Sequence, residues 1–112
     1  MIELIVKKYL EEKLNLPVYM ENPNRTLDKY IKIEKTGGSE ENHILTATIA
    51  IQSYALSMYE SSLLNEQVKS VMKNIIELND ISKVKLIRDY NFTDTTKKQY
   101  RYQAIYDLVF FD

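Results

Sequence analysis

Between residues 49 and 76 the chain changes its period. Ile49 and Ile51 alternate with Ala50 and Gln52 as a strand does, whereas Leu64, Val68, Val71, Met72, Ile75 and Ile76 recur at helical spacing. These two periods predict most of the remaining elements. Residues 2–14 form an amphipathic helix with Ile2, Ile5, Val6, Tyr9, Leu10 and Leu14 in one stripe, and Glu3, Lys7 and Glu11 as i, i+4 neighbours of opposite charge. Pro17 and Pro23 bracket "PVYMENP", an extended segment suited to a sheet edge. Strands are expected near 30–36, 43–54, 83–92 and 100–111, and a helix from about Leu56 to Leu78, capped by Ser57 or Ser53, with Met58 and Met72 filling the core.

The strand pattern separates two faces. In the second strand Leu45, Ala47, Ile49 and Ile51 face one way and Ile44, Thr46, Thr48, Ala50 and Gln52 the other. In the last, Tyr100, Tyr102, Ala104, Tyr106, Leu108 and Phe110 oppose Arg101, Gln103, Ile105, Asp107, Val109 and Phe111. At about 3.3 Å per residue that strand reaches roughly 40 Å, so part of it projects beyond the core. "TGGSEEN", with the chain's two glycines, Gly37 and Gly38, reads as a flexible polar turn. "TDTTKKQ" has no glycine and predicts a hairpin tip wider than two residues. Both segments are expected to be mobile in the free protein.

Each helix has a single apolar stripe, and one covered sheet face is the simplest way to bury both. The expected fold is therefore α+β: a mainly antiparallel sheet with two principal helices packed on one face and no shorter third helix. With 112 residues, 45% of them hydrophobic, residues 1–112 make a single domain.

Charge and chemistry narrow the function more by exclusion than by signature. Fifteen basic residues against sixteen acidic ones leave a net charge of -1, without the basic field that holds nucleic acid or an anionic membrane. The chain has no cysteine, which fits a reducing compartment or a particle assembled inside a cell. No run approaches the roughly 18 apolar residues of a membrane span, and the first residues reverse the charged-then-apolar order of a secretory signal. The sequon at Asn91–Thr93 carries little meaning without such a signal.

No catalytic, cofactor or metal site is expected. The lone His43 stands beside Glu40 and Glu41 at a strand end, no GxSxG elbow activates a serine, and the glycine pair lacks the GK[ST] of a phosphate loop. The acid pairs fall in turns and strand ends, where they are solvated. The alternative to a protein-binding role is a single-stranded nucleic-acid module stacking bases on Tyr100 and Tyr102.

Three stretches, "YIKIEKTGGSEENHI", "ATIAIQSYALSMYESSLLNEQVKSVM" and "YNFTDTTKKQYRYQAIYDL", together resemble the small tail-completion proteins of long-tailed phages and prophages of Gram-positive bacteria. These are the tail terminators, minor tail proteins and head–tail joining proteins. The resemblance runs from about Pro17 to Phe111 and is densest at Gly37, Gly38, Gln52, Tyr54, Asn91–Asp94 and Tyr100–Gln103. It implies a non-enzymatic virion protein of the tail or head–tail junction, made in the host cytoplasm. Such a protein forms a ring, commonly a hexamer, that caps the major tail-tube protein and presents it to the head connector. On this basis Gly37, Gly38, Glu40, Glu41, Asn91, Thr93, Asp94, Lys97, Lys98 and Arg101 are the candidate assembly interface.

Overall fold

A computed structural model of the chain describes residues Met1 to Phe111. Helix α1 (Ile2–Leu14) buries Ile2, Val6, Tyr9 and Leu10, half-buries Ile5 and Leu14, and carries the expected Lys7–Glu11 ion pair at 3.1 Å. It stops at Asn15, which takes the left-handed conformation (φ 53°), and Pro17 prevents any continuation. The chain then forms β1 (Val18–Tyr19), a two-residue strand parallel to β2 (Tyr30–Glu41). Antiparallel strands β3 (Ile44–Ala55), β4 (Ile81–Asn91) and β5 (Tyr100–Phe110) complete one sheet in the order β1-β2-β3-β5-β4.

Helix α2 (Met58–Met72) begins where Ser57 accepts a hydrogen bond from the Glu60 amide, which settles the choice of cap. It lies over β3 and β5 while α1 lies over β1 and β2, and the Tyr9 hydroxyl ties the helices together by donating to the Val71 carbonyl at 2.6 Å. The core fills the space between both helices and one sheet face: Leu10, Leu64, Val68 and Met72 meet Ile31, Ile33, Ile49, Ile51 and Leu108, all essentially inaccessible. Each such side chain contributes about 1.5–3 kcal/mol of transfer free energy. The fold is α+β, as the two periods predict.

Three details differ from expectation. Helix α2 ends at Met72 rather than Leu78, and a 3₁₀ turn follows at Ile75–Glu77, although no third helix was expected. Asn74, a residue poor at continuing a helix, occupies the bridge region (φ -99°, ψ 3°). The tighter turn points Ile75 and Leu78 into the core and leaves Ile76 about half exposed. Met58, expected as core filler, lies 38% exposed at the helix start, while Met72 is fully buried.

The third difference concerns the glycines. Gly37 and Gly38 are not a turn: they lie inside β2, paired with Thr48 and Ala47. A bulge at Thr36, between Lys35 and Gly37, shifts the register there, and the strand continues to Glu41. Gly38 is required by proximity, since a Cβ at this position would sit 2.9 Å from the Thr46 carbonyl oxygen of β3. The reversal itself is made by Asn42 and His43, both left-handed (φ 51° and 67°), in the pattern of a two-residue type I′ turn.

Candidate functional site

The ten candidate interface residues divide between two hairpins whose tips lie at opposite ends of a body 45 Å long and 25 Å across. β3 runs between those ends. At its start, Ile44 pairs with Glu41, and Leu45 with Phe110; at its finish, Tyr54 pairs with Tyr30 and Ala55 with Tyr100. The β2–β3 tip, with Glu40 and Glu41, therefore marks one end, while Gly37 and Gly38 lie back along β2 opposite Thr48 and Ala47. The β4–β5 tip, with Asn91, Thr93, Asp94, Lys97, Lys98 and Arg101, marks the other.

The two groups are built differently. From Glu34 to Ile44 every residue is exposed, and Ser39 and Thr46 close a hydroxyl pair at 2.6 Å. Glu40 and Glu41 flank the turn without an ion-pair partner among the described residues.

At the other end most candidates are engaged within the hairpin. Asp94 and Gln99 exchange backbone hydrogen bonds of 3.0 Å, Asp94 Oδ1 accepts from the Lys97 amide, and Lys98 turns the chain in the left-handed region (φ 54°). This four-residue tip, Thr95–Lys98, is wider than two residues, as expected. Thr93 Oγ1 accepts from the Arg101 amide at 3.1 Å and donates to its carbonyl at 3.2 Å, and Asn91 Oδ1 accepts from the Thr93 amide.

Arg101 is also committed internally. Its Nε donates to the Phe92 carbonyl at 2.7 Å, its Nη1 to the Tyr54 hydroxyl at 3.0 Å, and its guanidinium lies 4.4 Å from the Phe92 ring centre. It pins β5 to β3 and to the strand end of β4. Of the basic candidates only Lys97 and Lys98 remain free to meet a partner among the described residues.

Sequence reasoning missed a row of side chains across the sheet face away from the helices. Tyr19 meets Tyr30 edge to face at 5.9 Å, Tyr30 stacks on Tyr54 at 4.5 Å, and the Tyr54 hydroxyl donates to Gln52 Oε1. Gln52 Nε2 donates to Gln103 Oε1 at 2.7 Å, and Gln103 Nε2 to the Tyr90 hydroxyl; Arg88 lies over the Tyr90 ring, 5.0 Å from its centre. Gln52, Tyr54 and Gln103 are each only 6% exposed although no helix covers them. Burial raises the Tyr30 phenol above its ordinary range, helped by Tyr54 and opposed by Arg101. The available signal was the alternation itself, which puts Gln52 and Tyr54 on one strand face and Arg101 and Gln103 on the next.

Tyr100 and Tyr102, the residues of a stacking platform, stand on the helix-covered face and are half-buried. Tyr106, farther along that face, is buried and its phenol is pushed up to about 12, chiefly by loss of solvation. Beside it Lys69 of α2 binds Asp89 of β4 and Glu66, and its hydrogen bond to Asp89 does most to hold its ammonium protonated. This cluster joins helix to edge strand.

Among the described residues no three of His, Asp and Glu gather as a metal set, and no helix is long and apolar enough to cross a membrane. Neither a protein-family model nor a curated protein matches the chain.

Proposed function

We propose that this is a non-enzymatic assembly protein of a phage or prophage tail, acting as a ring where the tail tube meets the head connector. The observation that carries the reading is the division of the exposed hairpins between opposite ends, one tip bearing Glu40 and Glu41 and the other Lys97 and Lys98. A subunit with unlike, complementary ends makes heterologous contacts, and such contacts close into rings when the rotation permits. The resemblance of the three stretches to tail-completion proteins supplies the biological setting and the expectation of six copies.

Tyr59 and Leu63, one turn apart on α2, are 71% and 46% exposed at the Lys97–Lys98 end. They give that end an apolar surface on which the tail-tube protein can seat. The test is negative-stain imaging of the purified protein alone and mixed with the tail-tube protein, together with deletion of its gene in the phage. Rings on tube ends, and a null phage with unjoined heads and tails or tails of uncontrolled length, are expected. A null phage with normal joined tails would refute the assignment.

A further inference from the structure

At the Lys97–Lys98 end of the sheet lies an open cleft of about 510 Å³. One wall is the segment 22–27 that connects β1 to β2; the other is the end of the sheet, with Tyr30, Tyr54 and Tyr100, and the β4–β5 tip. Its only charged lining residues are Arg25 and Lys98, both exposed and neither ion-paired among the described residues. A cleft with two unneutralised cations, phenol rings and the exposed Leu56 at its rim suits an acidic, narrow, partly apolar segment.

The same chain presents such a segment. The tip of the β2–β3 hairpin carries Glu40 and Glu41 on one side of its two-residue turn and Ile44, 55% exposed, on the other. Because tip and cleft lie at opposite ends of the 45 Å body, the tip cannot reach its own cleft. We propose that the β2–β3 tip of one copy seats in the Arg25–Lys98 cleft of the next. The inference rests on the ring reading and specifies its contact. Each subunit then gives one tip and receives one, and a closed ring leaves no cleft empty and no tip free. The hairpin is suited to this use: the bulge at Thr36 adds local twist, and the close approach at Gly38 holds the two strands together up to the tip.

The chain has no cysteine, so two substitutions supply the only thiols. Glu41→Cys places one at the tip, and Gln99→Cys places one in the cleft wall while Arg25 and Lys98 stay in place. Mixed under a glutathione redox buffer, these variants should cross-link about tenfold faster with each other than either does with itself or with a Lys8→Cys control on α1. Covalent trapping reports even an association too weak to populate rings.

A second arm exchanges charge. Glu40→Lys with Glu41→Lys, and separately Arg25→Glu with Lys98→Glu, should each abolish self-association in sedimentation velocity, and mixing the two variants should restore it between unlike chains. A merely structural role would not be rescued in this way. Cross-linking at the control rate across the accessible concentration range overturns the docking. If rings still form in that sample, the ring reading survives with another contact. If the cross-link forms but the protein never caps tail tubes, the docking stands and the tail assignment falls. Suppression of the cross-link by inorganic phosphate, too dilute to screen charge, would assign the cleft to a small anion and also overturn the proposal.

Discussion

The two faces of the sheet exclude water at their centres by opposite means. Under the helices, Ile49, Ile51, Ala104 and Leu108 are buried against α1 and α2, and the driving force is apolar area removed from solvent. On the open face, Gln52, Gln103 and Tyr54 reach nearly the same burial with no layer above them, because they cover one another and spend their polar groups on each other. The first mechanism is non-directional; the second depends on matched donors and acceptors. A one-residue slip of β5 against β3 would turn Gln103 to the opposite face and leave Gln52 without its partner. The same slip would turn Ala104 and Leu108 out of the core, so both faces hold the register, one by apolar burial and the other by matched polar groups.

Substitutions can break that contrast. The largest loss is expected on the covered face: Leu64→Ala should cost about 2–5 kcal/mol in denaturant unfolding, since Leu64 is fully buried and its cavity closes incompletely. On the open face, Gln103→Leu should cost about 1–3 kcal/mol by stranding the Gln52 amide. The double variant Gln52→Leu with Gln103→Leu should then cost no more than the single one. Additive losses would show that the pair is not a unit.

Arg101→Glu comes next. It removes the bonds to Phe92 and Tyr54 and should lower the melting temperature in the monomer, where a solvated charge would have changed little.

Alkali separates the faces more gently. The raised phenols of Tyr106, Tyr9 and Tyr30 hold protons more tightly when folded, so their contribution is complete below pH about 10 and is lost as pH rises through their raised values, about 12 for Tyr106. Ultraviolet absorbance should show Tyr106 among the last phenols to ionise; early, uniform titration would contradict its burial. The smallest effect is expected at the tip, where Lys97→Glu with Lys98→Glu should leave the melting temperature unchanged while weakening the proposed ring.

How much of this was legible depended on whether a residue's role was periodic or relational. The α1 stripe, a serine cap at Ser57 or Ser53, the alternation of β5 and the wide β4–β5 tip follow from spacing and local chemistry alone. The β2–β3 turn did not, because the glycine pair at 37–38 is the strongest local turn signal in the chain, yet Gly38 answers to the Thr46 carbonyl across the sheet. With the glycines thus engaged, the turn fell to Asn42 and His43, which lack the Asn-Gly signature. Arg101 read as a candidate interface residue because its partners, Phe92 and Tyr54, meet it only after β3, β4 and β5 are in register. The short end of α2 was hidden for a similar reason: Ile75 and Ile76 both continue the stripe, and only the geometry after Asn74 decides which enters the core.

Strand β4 adds a consequence for handling and for life in a crowded cell. It is the outer strand of the sheet, eleven residues long, with Leu86 and Ile87 each 42% exposed. An edge of that length can template amyloid-like growth by adding strands from other molecules. Here register shifts at Ile81/Lys83 and Leu86/Arg88 break its straightness, and Lys83, Lys85 and Arg88 put like charges where identical edges would meet. Both features disfavour pairing of one β4 edge with another.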